Sequence, residues 1–210
     1  MKELFFKQAK KKKRPVILLE GTRNVPTTDA PRLHALARLL ANELPSAVFR
    51  SGNAQGADSL FFQGLAAENP ERLEYILPYS NMGKKRIPPQ ASIFTLEELS
   101  QAELEAVVEV TLTASPELES LVRAFLARGR NRVTVKAMYL LRDALKVAGA
   151  ASLSLPPADF GFFFVNPENP RGGGTGHTIR TCRALKVPVF TQDEWEKWIR
   201  GQTHGKCIAS

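Results

Sequence analysis

Cysteine and histidine are scarce in this sequence, and long apolar runs are missing. Its 210 residues include three histidines and two cysteines, Cys182 and Cys207. The cysteines match no metal-site spacing and predict no structural disulfide, as is typical of a reducing cytoplasm. No apolar run approaches the roughly 18 residues of a membrane span, and residues 1–14 lack the apolar core of a secretion signal. We therefore expect a cytoplasmic protein with no membrane partner, no metal and no resident cofactor.

Positive charge is abundant but unevenly distributed. The net charge is +8, and residues 1–14 contain seven basic side chains and one acid. That segment therefore carries six of the eight net charges, and the rest of the chain is close to neutral. Such a run can bind phosphate backbones electrostatically, or it can simply remain solvated. The basic arm expected at residues 1–14 ends in Lys10, Lys11, Lys12, Lys13 and Arg14.

Short apolar runs alternate with helical patterns along the first half of the chain. Residues 15–20, 47–50 and 73–77 are runs of the kind that form buried strands. Between them, apolar residues recur at helical spacing over 29–44 and 57–68. This alternation is typical of a parallel sheet with helices on its faces. The sequence predicts an α/β, Rossmann-like three-layer fold with a mostly parallel sheet.

The second half continues the same pattern within one domain. With 43% hydrophobic residues, the chain can bury a core of its own. We expect a single domain over residues 15–200, followed by a flexible tail at 201–210. Further helices are predicted near 96–108, 116–128 and 130–147, with strands at 160–165 and, as an edge strand, at 187–190.

Three polar loops rich in small residues follow predicted strands, at 21–24, 51–58 and 171–180. Because the carboxyl ends of parallel strands share one edge of the sheet, these loops are expected to form one ligand site. The third loop contains three consecutive glycines before a predicted helix. They permit a sharp turn and a close approach by a ligand, and the free N–H groups of a helix start attract anions. The loops therefore predict a phosphate site.

The first two loops carry motifs that resemble a known family. Gly21-Thr22-Arg23, followed by Ser51-Gly52-x-Ala54-x-Gly56-Ala57-Asp58, resembles the start of the DprA/Smf Rossmann-like fold. Arg130-Asn131-Arg132 resembles the R-N-R segment of that family. The wider group is the SLOG superfamily, which includes DprA and the LOG phosphoribohydrolases. The resemblance covers residues 15–198 and implies a Rossmann-like fold with a nucleotide or phosphate site.

The resemblance also implies the partner and the residues that hold it. The expected partner is a nucleotide or a nucleotide-derived small molecule, and a homodimer is implied by resemblance alone. Binding of single-stranded nucleic acid in the DprA manner, aided by residues 10–14, is an open alternative. The implied ligand-binding residues are Gly21, Thr22, Arg23, Ser51, Gly52, Asn53, Gly56, Asp58, Arg130, Asn131, Gly173, Gly174, Thr175, Gly176 and His177.

Catalysis is a second alternative. LOG enzymes carry a glutamate after their glycine-rich loop, and this chain has no carboxylate at that place, which favours holding a ligand over cleaving it. If the protein is an enzyme, it is expected to hydrolyse a nucleotide N-glycosidic bond, with Glu20, His177 or Asp58 in acid–base roles. Glu20 could instead meet a ribose hydroxyl or pair with Arg23 or Arg130.

Overall fold

A six-stranded parallel sheet forms the centre of the computed structural model, which describes residues 1–80 and 82–200. The expected tail at 201–210, with Cys207, lies outside the described residues. The spatial order of the strands is β4-β3-β2-β1-β5-β6, and every pair of neighbours is parallel. The predicted α/β, Rossmann-like fold is confirmed. The strands are β1 (Val16–Gly21), β2 (Val48–Ser51), β3 (Leu73–Leu77), β4 (Ser92–Thr95), β5 (Phe160–Phe164) and β6 (Val189–Thr191).

Helices cover both faces of this sheet. Helices α1, α2, α3 and α8 enclose one core with Ile17, Leu19 and Phe162, whereas α4 to α7 cover the opposite face, where Leu18 and Phe163 point. Within the described ranges, no helix has the length and apolar character needed to cross a membrane. The helices are α1 (Lys2–Ala9), α2 (Ala30–Glu43), α3 (Ala57–Ala66), α4 (Gln101–Ala114), α5 (Glu119–Arg128), α6 (Val135–Ala148), α7 (Gly173–Ala184) and α8 (Gln192–Ile199).

The strand order reverses between β1 and β5. From β1, the chain builds the sheet outwards through β2, β3 and β4, and it then returns to place β5 on the other side of β1. At such a point the connections diverge to opposite faces and leave a crevice beyond the carboxyl ends of the strands. Gly21 at the end of β1 is in register with Phe164 at the end of β5. The loops that follow these two residues therefore begin side by side.

The middle of the chain differs from the sequence-based expectation. Strand β4 was not predicted, because it is a four-residue edge strand whose first residue, Ser92, is exposed and which therefore lacks a buried apolar run. Helix α4 begins at Gln101 rather than at residue 96, since Ser100 caps it by accepting a hydrogen bond from the N–H of Glu103. Helix α6 likewise begins at Val135, after a turn that Asn131 closes with its side chain.

The segment expected to be a basic arm, residues 1–14, is half folded into the body. Residues 2–9 form α1, and Phe5 and Phe6 are buried. The ring centre of Phe5 lies 5.0 Å from that of Phe160 and 5.3 Å from that of Trp198. Burial of two aromatic side chains holds the helix in place despite its lysines. The helical part of this segment, residues 2–9, therefore packs on the body, and residues 10–14 form its continuously exposed basic stretch.

Candidate functional site

A cavity of about 850 Å³ lies at the carboxyl edge of the sheet, where the strand order reverses. Its walls come from the loops after β1 and β5, from α6, and from the start of α7. This volume falls in the range of sites for small molecules and cofactors. Its lining includes Glu20, Gly21, Thr22, Arg23, Ala54, Asp58, Lys136, Tyr139, Arg142, Asp143, Lys146, Asn166, Asn169, Arg171, Gly173, Gly174, Thr175, His177 and Arg180.

Asp58 fastens the first two loops to each other. One carboxylate oxygen accepts a hydrogen bond from the N–H of Gly21 at 3.1 Å. The other accepts from the hydroxyl of Ser51 at 2.9 Å and from the N–H groups of Gly52 and Ala54. Asp58 is also in the first turn of α3, where the helix dipole favours a negative charge. Its oxygens are therefore occupied by the protein's own donors, which supports a role in shaping the loops.

We expect Asp58→Asn to lower the free energy of unfolding by about 2 kcal/mol. Asparagine keeps one acceptor oxygen but presents an NH₂ group to donors that Asp58 now satisfies. Urea unfolding followed by circular dichroism measures the change, and Ser51→Ala, which removes one of the bonds, should cost about 1 kcal/mol. Unchanged stability of Asp58→Asn together with loss of ligand binding would instead place this carboxylate on the ligand.

Gly56 allows the loops after β1 and β2 to touch. Its φ is +84°, and a Cβ there would lie 2.3 Å from the carbonyl oxygen of Arg23 and 2.5 Å from that of Thr22. The next residue, Ala57, donates its N–H to the Thr22 carbonyl at 3.0 Å. Only glycine combines this backbone conformation with so close an approach. The spacing of the second motif is therefore explained by contact between two loops.

The start of α7 forms the wall opposite these loops. The helix begins at Gly173 after Gly172, which offers no side-chain cap, and Gly176 donates its N–H to the carbonyl of Gly172. The N–H groups of Gly173, Gly174 and Thr175 precede this bond and have no acceptor within the helix. All three residues line the cavity. Their free N–H groups and the helix dipole favour an anion at this wall.

Arg142 on α6 is a buried cation with unused hydrogen-bond donors. Its residue surface is 5% exposed, and it lines the cavity. Its Nε lies 3.3 Å from Oδ1 of Asp143 as an ion pair. Across residues 1–80 and 82–200, however, neither Nε nor Nη1 has a hydrogen-bond partner. The guanidinium lies directly against Gly52, where a Cβ would be 1.4 Å from Nη1. Glycine in the second loop thus makes room for an arginine suited to binding an anion.

Lys146 connects two acids on the floor of the cavity. Its Nζ lies 2.6 Å from Oε1 of Glu20 and 2.8 Å from Oδ1 of Asp143, and all three side chains are almost fully buried. Glu20 therefore pairs with Lys146 rather than with Arg23 or Arg130, the partners that the sequence suggested. Arg50 holds this part of α6 in place by donating to the carbonyl of Lys146 at 2.9 Å. The floor is a compact ionic cluster that includes Arg142.

The two acids of this cluster have opposite pKa shifts. Burial raises the pKa of Glu20 to about 7 from its ordinary 4.5, although the nearby Lys146 opposes the shift. Burial also disfavours the charge of Asp143, but Arg142 and Lys146 outweigh it and hold the pKa of Asp143 below its usual value. At neutral pH Asp143 is ionised while Glu20 is near its midpoint. The cavity therefore contains a carboxyl group able to exchange a proton near neutrality.

His177 is at the back of the cavity with both ring nitrogens engaged. Its Nε2 lies 3.2 Å from the carbonyl oxygen of Leu140, which can only accept, so this nitrogen carries the proton. Its Nδ1 then accepts from the hydroxyl of Ser115 at 2.9 Å, and that hydroxyl oxygen accepts from Arg180. Burial lowers the pKa of His177, which keeps the ring neutral. This arrangement favours a structural role over proton transfer.

Arg130 and Asn131 lie outside the large cavity. They line a neighbouring pocket of about 430 Å³, which shares Val135 with it. The guanidinium carbon of Arg130 lies 4.6 Å from the ring centre of Tyr79. Asn131 accepts the N–H of Thr134 at 3.0 Å and so shapes the turn before α6. The sequence-based idea that both residues reach into the same site as the glycine-rich loop is not what the structure shows.

The remaining sequence-predicted residues fall into two groups. The first group lines the cavity itself and comprises Glu20, Gly21, Thr22, Arg23, Asp58, Gly173, Gly174, Thr175 and His177. The second group lies behind the lining and shapes the loops. It comprises Ser51, Gly52, Asn53, Gly56 and Gly176; a Cβ on Gly176, for example, would be 2.0 Å from the carbonyl oxygen of Arg171. In the part of the chain that the structure describes, no cluster of His, Cys, Asp or Glu side chains could hold a metal.

Sequence reasoning missed the contribution of α6. This helix provides Lys136, Tyr139, Arg142, Asp143 and Lys146 to the cavity. The signal was present in the sequence, because Arg142, Asp143 and Lys146 interrupt the apolar second half of the helix at positions that one turn brings together. Charged residues are almost never fully buried without a partner, so three of them on a buried helix face point to an ionic site.

Comparison with known proteins gives a structural similarity but no family. No family model matches the chain, and no curated protein does. Among solved structures, it is similar to DNA processing protein A from Helicobacter pylori, which was studied for its single-stranded DNA binding mode. The two share 16% sequence identity with a TM-score of 0.49, over 88% of this chain and 67% of that one.

Proposed function

We propose that this protein binds a nucleotide or a nucleotide-derived small molecule in the cavity between β1 and β5. The ligand phosphate is held by the N–H groups of Gly173 to Thr175 and by Arg142. Gly21, Thr22 and Arg23 form the facing wall. The observation that carries the proposal is the placement of an unsatisfied, buried arginine and an uncapped helix start on the same cavity. Both supply N–H groups from which a phosphate would accept hydrogen bonds.

The balance of charge around the cavity supports an anionic ligand. Of its acids, Asp58 is occupied by backbone and hydroxyl donors, and Glu20 and Asp143 are paired with Lys146. Arg23 and Arg171 line the cavity as well, and neither has an ion-pair partner within the described ranges. The cavity therefore has more unpaired cationic side chains than unpaired acidic ones. The fourth acid of the lining, Glu117, is exposed but paired with Arg180, so an anion entering here meets cations without partners and carboxylates that are already engaged.

Tyr139 gives the cavity a partner for the other end of a nucleotide. Its side chain is partly exposed, and it lines the cavity one turn before Arg142 on the same helix. An aromatic face next to a phosphate site can stack a nucleobase, and the phenol can exchange hydrogen bonds with it. Asn166 and Asn169 from the loop after β5 line the same space and offer amide groups to a ribose or a base.

The acids of the cavity favour binding of the ligand over its cleavage. Each carboxylate of the lining is engaged, and His177, whose ring nitrogens contact Leu140 and Ser115, is kept neutral by burial. Glu20, whose pKa is near 7, is the group through which an N-glycosidic hydrolysis would run. Release of free nucleobase from a nucleotide, lost in Glu20→Gln, would establish the enzymatic alternative.

A nucleic-acid role based on the basic segment has a geometric difficulty. Residues 10–14 lie one residue before Val16, the start of β1, and therefore at the amino edge of the sheet, where Lys12 pairs with Asp159 at 2.7 Å. The cavity is at the carboxyl edge, about 20 Å away along a six-residue strand. A strand would have to wrap around the molecule to contact both. The small-molecule proposal needs no contribution from this segment.

We expect one or more nucleoside 5′-monophosphates to bind with the same affinity to the native protein and to a Lys11→Ala/Lys13→Ala variant. Lys11 and Lys13 are exposed and take part in no ion pair that the structure records, so their replacement changes charge without disturbing the fold. Calorimetric titration with a panel of nucleotides measures the affinity. Lack of binding by every nucleotide contradicts the proposal, and binding that disappears in the lysine variant favours a nucleic-acid function.

A further inference from the structure

We propose that the pocket of about 430 Å³ beside the cavity is a subsite for a second nucleoside, so that the ligand is a small dinucleotide. This inference rests on the proposed function and extends it to the size and class of the ligand. The pocket is lined by Tyr79, Ser80, Glu97, Arg130, Asn131, Arg132 and Val135. None of these residues except Val135 lines the larger cavity.

The pocket and the cavity adjoin each other along α6. Val135, the first residue of the helix, lines both, and Tyr139, one turn later, lines the cavity. Burial and the neighbouring phenol of Tyr79, which belongs to the pocket, raise the pKa of Tyr139. A pair of tyrosines thus forms the boundary between the two spaces. A ligand bound by its first nucleotide in the cavity can continue past this boundary into the pocket.

Arg130 and Tyr79 form a stacking platform in the pocket. The guanidinium lies over the tyrosine ring at 4.6 Å, and Arg130 is an exposed residue. The backbone around Arg130 is held by a closed turn, in which Thr134 Oγ1 donates to the carbonyl of Gly129 at 2.6 Å and accepts from the N–H of Asn131 at 2.9 Å. Guanidinium planes and aromatic rings both stack nucleobases.

Glu97 makes the pocket suited to a nucleoside rather than to a phosphate alone. The N–H of Ser80 donates to its carboxylate at 3.0 Å, and the Ser80 hydroxyl donates to the same oxygen. These hydrogen bonds hold the pKa of Glu97 below its usual value, so the group is an ionised acceptor. An acceptor of this kind binds ribose hydroxyls or base amino groups and repels a phosphate. Arg130 and Arg132 can still neutralise the phosphate that joins the two nucleosides.

The test compares nucleoside 5′-monophosphates with 5′-phosphorylated homodinucleotides of the four bases. We expect the native protein to bind its preferred dinucleotide about 10-fold more tightly than the matching mononucleotide, a gain typical of one stacked base. Arg130→Ala should remove this preference and leave the mononucleotide affinity unchanged. Arg128→Ala is the matched control, because Arg128 is also exposed and is nearby in sequence but outside both spaces. Calorimetric titration gives all the affinities.

The outcomes separate this inference from the proposed function. Equal affinity for mononucleotide and dinucleotide, or a preference that survives in Arg130→Ala, overturns the second subsite and leaves the cavity proposal intact. Absence of binding by all probes overturns both. A strand of about ten nucleotides should bind no more tightly than the dinucleotide, and a steep further gain with length would overturn the small dinucleotide in favour of a nucleic-acid strand.

Discussion

Arg142→Met is expected to weaken the binding of a nucleoside monophosphate about 100-fold. A hydrogen bond to a charged group contributes about 1.5–3 kcal/mol, and a factor of ten in affinity corresponds to about 1.4 kcal/mol. Arg142 lines the cavity with a buried guanidinium whose Nε and Nη1 have no hydrogen-bond partner among the residues that the structure describes, and a phosphate that contacts this guanidinium would accept a charge-assisted hydrogen bond. Because the site is buried, water replaces these contacts poorly. Calorimetric titration measures the loss, and thermal unfolding with and without ligand provides a second reading.

A second variant separates the position of this arginine from its charge. Gly52→Ala retains Arg142 but places a Cβ within 1.4 Å of its present Nη1 position, so the guanidinium has to move. We expect this variant to lose affinity as well, although every charge is preserved. Arg123→Met is the matched control, since Arg123 is a 73% exposed side chain on α5 outside the cavity. Normal affinity in both Arg142→Met and Gly52→Ala would exclude Arg142 from the binding site.

The rim loops were predictable because their chemistry is local in the sequence. Gly56 requires a positive φ, and the glycines before α7 follow a strand directly, so each leaves a signal within a few residues. The edge of the sheet at which they meet follows from the parallel arrangement alone. The sequence could not show which loop residues face the ligand. Ser51 and Asp58 face each other, and that pairing becomes visible only when both loops are placed.

The floor of the site was not predictable in the same way, because it depends on contacts between distant elements. Glu20 on β1 meets Lys146 on α6 only after β5 has been placed beside β1. Periodicity described α6 as an apolar helix, and its apolar positions do pack on the sheet. The same helix carries the charges of the cavity on an adjoining face. A search for buried charges within apolar helices would have found this feature, and a search for loop motifs could not.

The basic character of residues 1–14 shows a related limit. The charge count shows where the basic residues lie, but it takes no account of the two aromatic residues among them, Phe5 and Phe6. Two buried aromatic residues outweigh the solvation of neighbouring lysines, which remain at the surface of α1. Deletion of residues 1–14 would therefore remove part of the core together with the charge. Substitution of individual lysines is the informative experiment.

Lys146→Met is expected to lower the free energy of unfolding by about 3–5 kcal/mol near pH 8, the usual cost of removing one partner from a buried ion pair. The change leaves Glu20 and Asp143 buried with only Arg142 to balance them. Urea unfolding monitored by circular dichroism measures the loss. Methionine preserves most of the side-chain volume, so the expected cost arises mainly from charge.

A double-mutant cycle with Glu20→Gln tests whether the cost is electrostatic. In the double variant Asp143 remains paired with Arg142, so most of the lost stability should return. The two changes should therefore be strongly non-additive, as expected for groups in direct contact. If Lys146→Met costs as much in the Glu20→Gln background as in the native protein, the loss comes from packing and the ionic cluster contributes little.

The dependence of the free energy of unfolding on pH provides an independent test of the contribution of Glu20. Because the pKa of Glu20 is raised from 4.5 to about 7 in the folded state, its contribution to stability is fully present below pH 4.5 and is lost as the pH rises through about 7. The lowered pKa of His177 acts in the opposite direction, since its contribution is lost as the pH falls below 6.5. The contribution of His177 is the same in the native protein and in Glu20→Gln, so it cancels in the difference between their free energies of unfolding. As the pH rises across this window, the native protein should lose stability relative to Glu20→Gln by at most about 1.4 kcal/mol per pH unit. A difference that stays constant with pH would show that Glu20 keeps an ordinary pKa.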